Sequence, residues 1–256
     1  MLNSPRRQFL SVMEGARHFA VALGAGAFKL PTVADLVRAI ADAASHAHHA
    51  TARASTRRGS APSSSSSIPM AVLCGSRDAV DDVAAACSKL GVIRALHADQ
   101  DADERKGVLV ACARSTWRAG SDDDDAGDGD EDIDGEREPS DAVRCVCMVT
   151  TDACLPSAAS GEASLGFPLL VNYDVPRTKE AYARRARVAL GGGKGGAGRG
   201  GIGRAPGVVV TLVVADDETE LLREVCGDSR VETMPVSALE EVAMNWFAYI
   251  NNSGIR

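Results

Sequence analysis

IPMAVLCGSRDAVDDVAAACSKLGVIRALHA, Ile68 to Ala98, is the stretch on which the fold turns. IPMAVLC is an unbroken apolar run of strand length, without the alternation of a half-exposed strand, so it reads as a strand covered on both faces. A helix is predicted to follow from about Ser76 to Leu90, with Gly75, Ser76 and Arg77 at its start. VIRALHA reads as a second strand. A strand, a helix and another apolar strand in about thirty residues make a parallel crossover unit.

The same alternation continues downstream. A helix is predicted from about Ala102 to Arg118, then strands in AVRCVCMVT (142–150) and PLLVNYD (168–174). A helix carrying Arg184, Arg185 and Arg187 follows. Beyond the glycine-rich 191–204 lie the strand GVVVTLVVA (207–215) and the helix DDETELLREVCG (216–227), whose acidic start suits a helix N-terminus. Right-handed crossovers between such strands give an α/β doubly wound parallel sheet over residues 68–236. Residues 1–67 are expected to form an irregular or helical N-terminal extension with a Ser/Arg linker. Residues 237–256 are expected to form a C-terminal helix and tail, with Trp246, Phe247 and Tyr249 as core or docking residues.

The extension carries Ala-rich stretches of helical spacing, in which Val33, Leu36, Val37 and Ile40 share one face. Its eight basic and three acidic residues fit either an organelle transit peptide or a packed helix pair. His46, His48 and His49 sit at a polar helix end and do not form a ligand pattern. The compartment is accordingly read as cytoplasm or nucleus, or as plastid or mitochondrion if the N-terminus is a transit peptide.

The net charge of −7 is set by one tract: eleven acidic residues and one arginine lie between Asp122 and Glu138. Without it 27 basic and 24 acidic residues remain. Such a block is expected to be a disordered acidic insert at 120–140, either a solvated loop or a nucleic-acid mimic that folds back on a basic groove. No apolar run reaches the eighteen or so residues that cross a bilayer, so no membrane partner is expected. Seven dispersed cysteines, without a CxxC pair or a Cys/His cluster, read as buried thiols and imply no metal.

In a doubly wound sheet ligands bind beyond the carboxyl ends of the strands. Four such ends carry chemistry here: Gly75, Ser76 and Arg77; His97 and Asp99; Thr150, Thr151 and Asp152; and NYDVP, which leads to Arg184 and Arg185. Hydroxyls, helix N-terminal amides and arginines on one rim make a phosphate-binding edge. No GxxxxGK[ST] is present, and GGGKGGAGRGGIGR reads as a flexible loop whose Lys194, Arg199 and Arg204 are able to touch a nucleic-acid backbone.

The order of these pieces resembles the C-terminal RecA-like domain of DEAD-box RNA helicases, most closely those of the translation initiation factor four-A type. Where that family reads VIFCNTR, HGDMxQxxR, TTDxxARGxD, SLVINYDLP, YxHRIGRxGR and GxAxxFV, this sequence reads AVLCGSR, HADQDADER, TTDACLPSAAS, SLGFPLLVNYDVP, YARRARVALGG and GVVVTLVV. The resemblance covers about 68–236, less the acidic insert. It implies single-stranded RNA lying across the rim, with backbone contacts from Ser76, Arg77, Asp99, Thr150 and Thr151, and a nucleotide-proximal element at Arg184 and Arg185.

The departures are informative. The family catalyses with two lobes, and the Walker A and DEAD sequences of the first are not found in these 256 residues. GAFKLPTVADLVRAI faintly echoes the nucleotide-reading segment that opens that missing lobe. Pro156 and Ala159 replace an arginine and an aspartate of the family, while Val188 and Gly191 stand at the two arginine-finger positions. An arginine finger is worth roughly 10³–10⁵ in rate. Arg187 is one residue out of register, and one residue turns a helical side chain by about 100°. The expectation is a degenerate lobe associated with RNA, with no ATP or other cofactor of its own. The alternatives are a protein-interaction module in an RNA or translation complex, and an RNA helicase whose first lobe is supplied in trans.

Overall fold

The computed structural model describes residues 16–56, 68–114, 145–156, 165–190, 207–227 and 231–234. Seven strands form one sheet in the order β3-β4-β2-β5-β6-β1-β7, and every pairing is parallel. They are β1 (Ala16–Leu23), β2 (Ile68–Cys74), β3 (Val92–Leu96), β4 (Cys145–Thr151), β5 (Leu169–Asn172), β6 (Gly207–Val214) and β7 (Val231–Thr233). The helices are α1 (Lys29–Thr56), α2 (Arg77–Cys87), α3 (Ala102–Arg114), α4 (Lys179–Leu190) and α5 (Thr219–Cys226). This is the doubly wound α/β sheet expected from the Ile68–Ala98 stretch and its repeats.

Two apolar layers flank the sheet, divided by the two-residue period of the strands. On one face Val33, Leu36, Val37 and Ile40 of α1 and Val80, Val83 and Cys87 of α2 pack on Met70, Val72, Cys147, Val149 and Val210. On the other, Tyr182, Ala186 and Ala189 of α4 and Leu222 and Val225 of α5 pack on Leu73, Met148, Leu170, Val209 and Val213, with Cys112 of α3 beside them. Burying each large aliphatic side chain contributes roughly 1.5–3 kcal/mol. All seven cysteines are free and buried, and Cys145 and Cys147 share one face of β4 as their alternation predicts.

Residues 16–56 are part of the sheet domain rather than an irregular or helical extension. ARHFAVAL is a strand in full register between β6 and β7, from Ala16 opposite Gly207 to Leu23 opposite Val214. Its alanines favour helix locally, but Phe19, Val21 and Leu23 are buried on one face and His18 and Ala20 on the other. Tertiary burial on both faces overrides propensity. The segment 26–56 therefore does not open a separate lobe: a short 3-10 turn at Gly26–Phe28 and α1 belong to this sheet. The linker 57–67, the acidic insert, the glycine-rich 191–206 and the C-terminal 237–256 lie outside the described residues. The end of the predicted 102–118 helix beyond Arg114 lies outside them as well, as do the side chains of His46, His48 and His49.

Gly91 is required by close approach and Gly227 by backbone conformation. A Cβ on Gly91 would drive into the carbonyl oxygen of Cys145, and Gly227 ends α5 at φ +57, a left-handed value suited to glycine.

Candidate functional site

The carboxyl ends of β1 to β6 bring the candidate residues to one rim, and the side chains there fall into three groups. The first surrounds α2. Ser76 is its N-cap, with an extended backbone and its Oγ accepting from the Ala79 amide at 3.2 Å, a contact worth about 1 kcal/mol. Arg77 is 60% exposed; its Nη1 lies 2.9 Å from Asp99 and its Nε 3.9 Å from Asp81, which also faces His97 Nε2 at 3.5 Å. The carboxyl of Asp99 is held below the usual range, first by its own backbone amide and further by the Arg77 guanidinium. Gln100 fixes the loop between them, accepting from the His97 amide at 2.9 Å and donating to the Ala95 carbonyl at 3.3 Å. Asp101 caps α3: its Oδ1 accepts from the Asp103 and Glu104 amides, and Glu104 reaches back to the Asp101 amide.

The second group lies where β4 and β5 meet α4. Arg185 is 2% exposed and bidentate on Asp152, Nε to Oδ1 at 2.7 Å and Nη2 to Oδ2 at 2.5 Å. Its Nη1 donates to Asn172 Oδ1 at 3.1 Å and to the Asp174 carbonyl at 2.8 Å. Arg184 donates to the carbonyls of Asp152 at 2.7 Å and Leu155 at 3.2 Å, and Arg105 donates to that of Cys154 at 3.3 Å. Three guanidiniums thus clamp the 152–155 turn. Arg184 and Arg185, read from the sequence as the remnant of a nucleotide-proximal element, both bond this turn, and α4 places Arg185 on the same buried stripe as Tyr182, Ala186 and Ala189. The network continues inward: Asn172 Nδ2 donates to Thr211 Oγ1 at 3.1 Å, and His18 Nδ1 and Tyr182 Oη are hydrogen-bonded at 2.9 Å. Burial raises the Tyr182 phenol well above its ordinary pKa.

Thr150 also departs from expectation. It is fully buried, and its hydroxyl donates to the Leu96 carbonyl at 2.9 Å, which ties β4 to β3. Its side chain is not presented on the rim. Thr151, one residue on, is half-buried, with its hydroxyl 3.7 Å from Cys154 Sγ.

The third group was not anticipated. Lys29, at the start of α1, is 6% exposed and pairs with Asp174 at 3.1 Å and Glu218 at 2.7 Å. Glu218 accepts from the Val214 amide at 2.9 Å, and Asp174 Oδ2 accepts from the Gly75 amide at 2.7 Å. The ends of β2, β5 and β6 and the start of α1 are joined through these groups. A cation in the first turn opposes the helix dipole, which is a sequence sign that Lys29 needs a partner. No group of His, Cys, Asp and Glu able to hold a metal occurs among the described residues, and no helix there is long and apolar enough to cross a membrane.

These features define a RecA-like α/β lobe, and solved structures agree. The chain is similar to the C-terminal domain of the DEAD-box protein Dbp5, at 15% identity and a TM-score of 0.53 over 91% of this chain and 98% of that one. It is similar to S. cerevisiae Dbp5 bound to RNA and ADP BeF3, at 13% identity and a TM-score of 0.55, over 93% of this chain but 47% of that longer one. It is also similar to the E. coli DEAD-box protein SrmB bound to regulator of ribonuclease activity A, at 15% identity and a TM-score of 0.50 over 88% of this chain and 93% of that one. No protein-family model matches the sequence, and no curated protein does. The fold is that of DEAD-box C-terminal domains. The chain spans about half the length of that longer Dbp5 chain.

Proposed function

We propose that this chain is a RecA-like lobe that binds single-stranded RNA through backbone contacts and does not turn over ATP on its own. The observation that carries the reading is Arg77, an exposed guanidinium at the N-terminus of α2 on the carboxyl rim. There a phosphate is able to meet both a forked donor and the positive end of a helix dipole. Ser76, the loop at Asp99 and Thr151 border the same path. The absence of ATP turnover is supported by Arg184 and Arg185, whose guanidiniums are spent on Asp152, Leu155, Asn172 and Asp174. It is also supported by the lack of a Walker A sequence.

The test is binding of a short single-stranded oligouridylate at several salt concentrations, with and without ATP. Micromolar binding that weakens steeply with salt and is indifferent to ATP agrees with the reading. Absence of binding at low salt sinks it, and RNA-stimulated ATP turnover by the chain alone would overturn its catalytic half.

One observation favours a second reading, a protein-interaction module in an RNA complex. Arg77 has acid about it: Asp78 beside it, Asp81 and Asp99 paired with it, Asp101 in the loop after β3 and Asp103 in the first turn of α3. A phosphate must compete with these carboxylates, whereas a basic protein segment is attracted by them. Capture of a basic protein by the chain, at salt concentrations where RNA is released, would establish that reading instead.

A further inference from the structure

We propose that Asp174 is a positioning residue for the rim, holding the β2–α2 turn so that Ser76 and Arg77 face the RNA backbone; this rests on the RNA reading above. Asp174 lies two residues past the end of β5 and accepts three bonds from three elements. Its Oδ2 takes the Gly75 amide at 2.7 Å, its Oδ1 takes Lys29 Nζ at 3.1 Å, and its carbonyl takes Arg185 Nη1 at 2.8 Å. Gly75 directly precedes the helix cap, so the direction of its amide sets where the first turn of α2 begins. The approach is close enough that a Cβ on Gly75 would lie 3.1 Å from Oδ2.

The carboxylate is fixed from behind as well as in front. Lys29 has a side chain only 7% exposed and is shared with Glu218, which is itself anchored on the Val214 amide. An anionic acceptor strengthens the bond from the Gly75 amide relative to a neutral one. Arg77 itself has no buried contact: its side chain is 60% exposed and its partners Asp81 and Asp99 are 57% and 59% exposed. The rigidity of its Cα position therefore comes from the turn, and the turn is tied through Asp174 to α1, α4 and β5, and through Lys29 and Glu218 to β6.

Asp174→Asn tests this, because the amide keeps the shape and loses the charge. The expected result is amide exchange at Gly75 and Ser76 accelerated about tenfold while Cys147 in β4 is unchanged, a local opening rather than a global one. Affinity for oligouridylate should fall several-fold, and the Asp174→Asn/Arg77→Ala double variant should bind no more weakly than Arg77→Ala alone. Two residues acting through one contact give such non-additivity. Gly75→Ala crowds the same contact with every charge intact, so it serves if Asp174→Asn folds poorly, and it should lower affinity in the same direction. Additive losses in the double variant, or unchanged exchange at Gly75, would overturn the proposal. If the unaltered protein does not bind RNA, the functional half fails with the RNA reading, and exchange at Gly75 still decides whether Asp174 holds the turn.

Discussion

Arg185 and Asp152 form a two-pronged pair between the middle of α4 and the turn that follows β4, with the guanidinium buried and the carboxylate side chain 39% exposed. Removing one partner of a fully buried pair costs about 3–5 kcal/mol. Because Asp152 is partly solvated and Arg185 keeps Asn172 and the Asp174 carbonyl, Asp152→Ala should cost roughly 2–3 kcal/mol, measured by urea unfolding. Arg185→Lys should be nearly as damaging, since an ammonium cannot reproduce the fork. A loss under half a kcal/mol for either change would show that the 152–155 turn stands without its clamp.

Arg77 and Asp99 should respond in opposite directions. Arg77→Ala is expected to weaken oligouridylate binding several-fold and to flatten the salt slope by roughly 0.7, the contribution of one phosphate contact on a single strand. Asp99→Asn frees the guanidinium and removes a competing charge, so binding should tighten. If both variants weaken binding equally, Asp99 is itself a contact and the competition argument is wrong.

Lys29→Met leaves Asp174 and Glu218 without the cation they share. The expected loss is roughly 2–4 kcal/mol, a little under that of a fully buried pair because the carboxylates are 31% and 22% exposed. Adding Glu218→Gln to Lys29→Met should recover part of the loss, as coupled neighbours do. Strict additivity would mean that the three charges do not act as a unit.

Burial raises the thiols of Cys74 and Cys145 from 9.0 to about 12, and those of Cys87, Cys112 and Cys226 to about 11. Folded pKa values lie above unfolded ones, so the folded chain binds more protons at alkaline pH. The stability linked to these groups is intact below pH 9 and drains as pH rises toward 11 to 12. The unfolding midpoint should therefore fall above pH 9, and a chromogenic disulfide should titrate these thiols only slowly until denaturant is added. Rapid modification of the folded protein would contradict the burial.

Deleting Asp122–Glu138 changes the net charge from −7 to +3. Association with RNA should quicken at low ionic strength, with the gain fading above about 0.1 M salt, where the screening length is near 10 Å. A gain independent of salt would mean that the tract acts by a specific contact, and loss of a captured protein without change in RNA binding would favour the interaction reading.

The central layers of the fold were legible because β2, β4 and β6 are continuous apolar runs alternating with helical patterns. The rim was legible for the same reason, since strand ends follow from strands. β1 was not: ARHFAVAL has the composition of a helix, and only pairing with β6 makes it extended. Thr150 was assigned to the rim and is core, because one residue of strand exchanges one face for the other. The burial of Arg185 had a signal in the sequence that was not used: with Tyr182, Ala186 and Ala189 it follows helical spacing onto the buried face. The Lys29–Glu218 pair spans 189 residues, and no local pattern encodes such a meeting.

β1 has a further consequence, for synthesis rather than for binding. As the chain leaves the ribosome its first strand emerges long before its neighbours, β6 and β7, and must wait for nearly the whole domain to be made. Until then the sheet can be no wider than β3-β4-β2-β5, and contacts this distant along the chain are slow to close. A fragment that begins after α1 would leave β6 as an open apolar edge and β7 without a strand to join, a template for aggregation rather than a shortened domain.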